Sequence, residues 1–276
     1  MKNILIPTNF SENCTKAAQL GIEMAKLYNS EIHFLHLMKT PVDWVKLDKL
    51  KEKRYPETLK QIGIAKAALR ELEKTAEREG LTCRTFLQFD SGQKDILEHS
   101  GHFYHDFIIT GSSGTKGVIR EITGSNVEEI VRKANAPVIV VKDEEVNFPF
   151  KNIVFVSDFK EDISEAFKQV ISIAKKCHAR IHLLRINTQA GFNNIELGLN
   201  PIEQLLSKFP ELKNYSMAVY NEPSVETGIN TFMKEQPTDL IAMVTHGKMG
   251  FLSLFSKSIA EGVTNHSTLP VMTIHI

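Results

Sequence analysis

Asn3-Ile4-Leu5-Ile6-Pro7-Thr8-Asn9-Phe10-Ser11-Glu12 returns 149 residues later, without a gap, as Asn152-Ile153-Val154-Phe155-Val156-Ser157-Asp158-Phe159-Lys160-Glu161. The same offset lays Glu31-Ile32-His33-Phe34-Leu35 on Arg180-Ile181-His182-Leu183-Leu184. Towards the end of each copy, Gly114, Ser125, Glu128 and Pro137 meet Gly247, Ser258, Glu261 and Pro270 at an offset of 133, so the second copy is 16 residues shorter and the loss lies in its middle. A chain of 276 residues, at ~150 per domain, has room for about two domains. The repeat places them at 1–145 and 146–276, joined by a linker over 142–150 in which Asp143-Glu144-Glu145 and Asn147-Phe148-Pro149 interrupt the pattern.

Within a copy, short β-branched runs alternate with helical patterns: Ile4–Ile6, a helix around 15–28, Ile32–Met38, a helix around 58–79, Phe86–Phe89, a helix near 94–99, Phe107–Thr110, a helix from Asn126, and Val138–Val141. Alternation of this kind makes a parallel sheet. Ile4-Leu5-Ile6 and Val138-Ile139-Val140-Val141 are apolar on both faces, as strands covered by helices on each side must be. The fold class is therefore α/β, two tandem doubly wound parallel sheets of five strands, Rossmann-like in type. Ser125-x-x-Glu128 and Ser258-x-x-Glu261 read as capping boxes opening the last helix of each copy. The segment 40–56, which holds Pro41 and Trp44, reads as a loop or short helix over the sheet edge.

Composition narrows the function. Hydrophobic residues at 42% and charged residues at 24% describe a globular chain. Thirty-three Lys+Arg balance 33 Asp+Glu, so no broad positive field exists to gather nucleic acid or anionic lipid. Cys14, Cys83 and Cys177 are odd in number and show no CxxC spacing, which suits buried thiols in a reducing compartment. The apolar start is too short for a signal peptide, and no run approaches the ~18 apolar residues of a span, so the expectation is a cytoplasmic protein.

Ligands of such sheets sit at the carboxyl ends of the strands. After Phe107-Ile108-Ile109-Thr110 comes Gly111-Ser112-Ser113-Gly114, then nine residues, then Gly124-Ser125-Asn126 at a helix start. Glycines admit phosphate oxygens close to the backbone, and a helix N-terminus supplies free N–H groups. This Gly-x2-Gly-x9-Gly-Ser pattern, with Pro7-Thr8, Leu35-His36-Leu37 and Ala136-Pro137-Val138, resembles the ATP-binding branch of the universal stress protein family, as a tandem member over nearly the whole chain. The resemblance implies that Pro7, Thr8 and Asn9 lie along an adenosine, that Leu37 and Thr110 touch adenine, and that Gly111, Gly114, Gly124, Ser125 and Asn126 hold ribose and phosphates. It implies ATP, in some members AMP, often with a divalent ion such as Mg2+ or Mn2+. It also implies that the domains meet through their last strands, Val138–Val141 and 271–276, as a pseudo-dimer, with a further homodimer left open.

Asn9 stands where the family usually has Asp, which removes a carboxylate from the ribose or metal side. The second copy reads Val244-Thr245-His246-Gly247, nine residues, then Lys257-Ser258, with two of three glycines gone; Val156 replaces the proline, while Asp158 restores the acid. It is expected to serve as a structural partner. Three functional classes remain: a nucleotide-binding stress or signalling protein, a slow ATP hydrolase or phosphoryl-transfer enzyme using Lys116 or Arg120, and a scaffold that binds no nucleotide. The first is the expectation, with no catalytic residue and no metal site assigned. His99, His102 and His105 recur every third residue but read as a polar helix end. His33 and His182 read as packed or hydrogen-bonded strand residues. Ser112-Ser113 lacks Gly-x-Ser-x-Gly and its acid and histidine partners, and the charges over 66–79 read as a solvated face.

Overall fold

The computed structural model describes residues 2–90, 103–112, 130–131, 134–142, 145–188, 198–245, 263 and 267–276. The expected helix near 94–99, both capping boxes, and Gly114, Gly124, Ser125 and Asn126 lie outside them. By packing, the chain divides into two compact units, 1–130 and 131–276.

The first unit runs β1 (Asn3–Pro7), α1 (Glu12–Tyr28), β2 (Glu31–Lys39), α2 (Lys49–Glu52), α3 (Pro56–Arg78), β3 (Cys83–Asp90) and β4 (Phe107–Gly111). Its strands are parallel in the order β3-β2-β1-β4. Ile4, Leu5 and Ile6 have no exposed surface, the signature of a strand covered on both faces. Ser11 caps α1, its hydroxyl accepting from Cys14 N at 3.4 Å, and Asn29 ends the helix in the left-handed region (φ 53°).

The second unit runs β5 (Val138–Val141), β6 (Asn152–Val156), α4 (Ser164–Cys177), β7 (Arg180–Asn187), α5 (Asn200–Ser207), β8 (Tyr215–Asn221), α6 (Val225–Glu235), β9 (Leu240–Thr245) and β10 (Val271–His275). The order is β5-β10-β9-β6-β7-β8, parallel throughout except for an antiparallel β5–β10 pair. The packing division precedes β5, ahead of the 142–150 linker, because β5 is hydrogen-bonded to β10 through Val140–Val271, Ile139–Met272 and Val138–Thr273. The linker is anchored at both ends by buried residues, Lys142 and Phe150.

The repeat is legible in local devices as well as in strand order. His178 closes α4 at φ 54°, as Asn29 closes α1. Asp106 ties down the start of β1, accepting from Lys2 N at 2.6 Å and Asn3 N at 3.0 Å. Asp239 does the same for β6, accepting from Lys151 N and Asn152 N at 2.8 Å each. Segment 40–56 forms a short 3-10 turn (Trp44–Lys46) followed by α2, and Trp44 packs into a small cluster with Met38 and Ile62.

Two sequence expectations change. Cys83 is not buried like Cys14 and Cys177 but half-buried, because it opens β3 at the edge of the first unit's strands. Even so, burial, with Glu73, Glu77 and Glu31 adding to it, pushes its thiol up to about 12. His105 lies directly ahead of β4 and is buried; its Nε2 meets His33 Nδ1 at 2.9 Å. His33 Nε2 lies 3.3 Å from Glu31 Oε1, a carboxylate shared with Arg84. His182 pairs with Ser216 Oγ at 2.7 Å and Asn152 Oδ1 at 3.4 Å.

Candidate functional site

In the first unit β2 and β3 extend to one side of β1 and β4 lies on the other, so the strand order reverses between β1 and β4. A crevice forms outside the carboxyl ends of strands at such a point. A cavity of about 400 Å³ lies there, lined by the ends of β1, β2 and β4 together with α1 and α3. Six of the residues named from sequence, Pro7, Thr8, Asn9, Leu37, Thr110 and Gly111, line this one cavity although they come from three separate segments. The other four, Gly114, Gly124, Ser125 and Asn126, fall outside the described residues.

The loop after β1 is a tight turn held by its own side chains. Phe10 N donates to Thr8 Oγ1 and Ser11 N to Asn9 Oδ1, both at 3.0 Å. Phe10 is thereby held at φ 64°, a conformation costly for a bulky residue and offset here by the two turn bonds. The second unit repeats the turn: Phe159 N donates to Ser157 Oγ at 3.1 Å, Lys160 N to Asp158 Oδ1 at 3.2 Å, and Phe159 sits at φ 57°. Position 9 therefore needs an oxygen acceptor, which Asn supplies as well as Asp. The carboxamide oxygen of Asn9 is engaged in the turn.

Gly111 is required by packing. A Cβ there would run into the backbone of Asn13 and Cys14, because the N-terminal turn of α1 lies against the end of β4, and Asn13 Nδ2 donates to Ser112 O at 2.9 Å. In the second unit the matching residue is Val244, and the matching helix α4 starts at Ser164, whereas the residue aligned with Glu12 at the start of α1 is Glu161. The bulk of Val244 and the retreat of the helix start go together.

His36 lines the cavity, and in the sequence it stands only as the middle residue of the supporting Leu35-His36-Leu37 motif. Its Nδ1 lies 2.8 Å from Thr8 O, and its ring packs on Phe10 with centroids 4.5 Å apart. A carbonyl only accepts, so Nδ1 carries the proton. Burial, opposed by the Thr8 hydrogen bond, lowers its pKa below 6.5. Gln61, Ile64 and Ala65 complete the wall from α3; their i, i+3, i+4 spacing marks one helix face, though nothing in the sequence ties that face to the cavity. Lys39 is the single ionised side chain among the lining residues described, and none of those residues is a carboxylate. Hard divalent ions favour carboxylate oxygen, and the described lining residues offer such an ion none.

At the position of His36 the second unit has Arg185, which is buried and donates from Nη1 to Gly198 O at 3.1 Å. Burial lowers its pKa while the charge of Asp158 opposes that effect. A guanidinium with no acceptor atom therefore stands where the first unit has an imidazole.

Residues 1–142 and 216–275 match the profile of the Universal stress protein family. A universal stress protein of Methanocaldococcus jannaschii is 30% identical over 142 residues, 51% of this chain and 82% of that protein. A putative universal stress protein of Staphylococcus haemolyticus is 27% identical over 165 residues, 59% of this chain and 98% of that one. The crystal structure of a universal stress protein from Archaeoglobus fulgidus superimposes with a TM-score of 0.74 at 19% identity, covering 99% of this chain and 98% of its own. With the profile matched over the first copy and over the later part of the second, and the α/β fold in place, the chain belongs to the universal stress protein family, in its tandem form.

Proposed function

We propose that the first unit binds an adenine nucleotide, ATP foremost, and that the second unit is its structural partner in a stress-response or signalling protein of the cytoplasm. The observation that carries this reading is the convergence of Pro7, Thr8, Asn9, Leu37, Thr110 and Gly111 on one cavity at the strand-order reversal. Its volume of about 400 Å³ falls within the range of small-ligand sites and suits a nucleoside. Pro7, Leu35, Leu37, Met38 and Ile64 give it apolar walls for a base, and Thr8, His36 and Gln61 give it hydrogen-bonding groups. The phosphates would extend towards the glycines at 111, 114 and 124, as the family resemblance implies. We read the site as one for binding, with no catalytic residue assigned. Among the described residues, no helix is long and apolar enough to cross a membrane.

Titration calorimetry of nucleotide-free protein with ATP, with and without Mg2+, tests this. One site per chain is expected, lost in Gly124→Val and retained in EDTA. Ligand at a hundred times its Kd should add ~2.7 kcal/mol of stability, visible as a melting shift. No heat and no shift refute the reading. Two sites per chain refute the assignment of the second unit.

A further inference from the structure

Resting on that reading, we infer that His36 selects the ligand of the first unit, its Nε2 accepting a hydrogen bond from an N–H or O–H of the bound nucleoside. Three observations fix the polarity of the ring. The Thr8 carbonyl 2.8 Å from Nδ1 takes a proton from it, which leaves Nε2 as the lone-pair nitrogen of the neutral ring. The Phe10 ring, held at φ 64° by the turn, lies 4.5 Å from the imidazole and limits its rotation. His36 lines the cavity with Nδ1 its one hydrogen-bonded nitrogen among the described residues.

The lining residues offer few alternatives for this task. The Asn9 oxygen already accepts from Ser11 N and the Thr8 hydroxyl from Phe10 N, and Gln61 stands on the α3 wall. A donor on the ligand placed beside Thr8 and Phe10 meets Nε2, the ring nitrogen that carries no proton. The candidates are the exocyclic amine of the base and the ribose hydroxyls. The second unit has the opposite polarity at this position, the donor-only guanidinium of Arg185, so the same nucleoside donor would find no acceptor on that side chain. This one exchange separates the two copies in a way the glycine pattern does not.

Two substitutions separate contact with the ligand from support of the loop. His36→Asn keeps a donor where Nδ1 stood and removes the atom at Nε2. His36→Gln does the reverse. ATP affinity should fall roughly ten-fold in His36→Asn, the scale of one lost hydrogen bond, and recover in large part in His36→Gln. In the wild type, one of three analogues, 6-dimethylamino, 2'-deoxy or 3'-deoxy, should lose a similar factor and lose nothing further in His36→Asn. Adenosine, which does not titrate between pH 5 and 8, supplies a second readout on the unaltered protein. Its binding should be strongest near pH 8 and weaken at acid pH, as the pH falls through the ring's own value, which burial holds below 6.5, and Nε2 gains a proton. The one ionised side chain among the described lining residues is Lys39, on the ring's own strand; α3 contributes Gln61, and the β1 loop and β4 contribute no charge. ATP binding that is unchanged in His36→Asn, or adenosine binding that is flat with pH, overturns the inference and leaves the nucleotide reading standing. Wild-type protein that takes up neither ATP nor adenosine overturns both.

Discussion

His33, His36 and His182 are each buried far enough that burial is the first cause holding their pKa values below 6.5. For His33 the Glu31 carboxylate opposes the shift, and for His36 the Thr8 carbonyl does. A lowered folded-state pKa means that, between that value and 6.5, the unfolded chain holds more protons than the folded one, so stability rises with pH there. The stability is fully present above 6.5 and is lost as pH falls through the folded-state values. Urea midpoints at pH 7.5, 6.0 and 5.0 should therefore decrease in that order; a midpoint that is constant or rises towards acid contradicts the burial argument. The function of these histidines differs with position. His33 and His182 lie near the starts of β2 and β7, away from the carboxyl ends where ligands sit, while His36 is three residues further along β2, at the cavity.

The decisive contact between elements is the approach of α1 to β4 at Gly111. The strand delivers Thr110 and Gly111 to the cavity, and the helix delivers Cys14 to the same wall, so their spacing shapes the site. Gly111→Val should destabilise the protein by about 3 kcal/mol, the upper range for overpacking, and should abolish ligand binding by pushing the helix start away, as in the second unit. Urea unfolding checks the first effect and calorimetry the second. Full stability with full binding in this variant would show that α1 yields freely. The glycine was legible in the sequence as a phosphate-loop residue; that it also admits a helix was not, because the clashing atoms belong to residues 13 and 14, about a hundred positions earlier.

At the level of the chain, the antiparallel β5–β10 pair joins the end of the first sequence copy to the end of the second. A parallel sheet ending at β10 would present unpaired N–H and C=O groups, a template for unwanted association, and β5 covers them. The pair also predicts how a cut chain behaves. With a protease site inserted between the exposed residues Glu145 and Asn147, cleavage should yield two fragments that co-elute in native size exclusion and separate only in denaturant. Fragments that part under native conditions would mean that the strand pair contributes little.

The repeat, the alternation of strands and helices, and the clustering of binding residues at strand ends all follow from local pattern, because apolar runs covered on both faces and their spacing are properties of contiguous sequence. Pro7-Thr8-Asn9, Leu37 and Thr110-Gly111 could be named in this way. Tertiary structure alone decided which side chains join them. His36 acquires its tautomer from a carbonyl 28 residues away, and α3 adds Gln61 to the wall by lying beside β2 and β3. The side of the packing boundary on which β5 falls is set by its hydrogen bonds to a strand that begins 133 residues later. Such facts depend on distances in space between residues remote along the chain, and a local pattern holds no record of them.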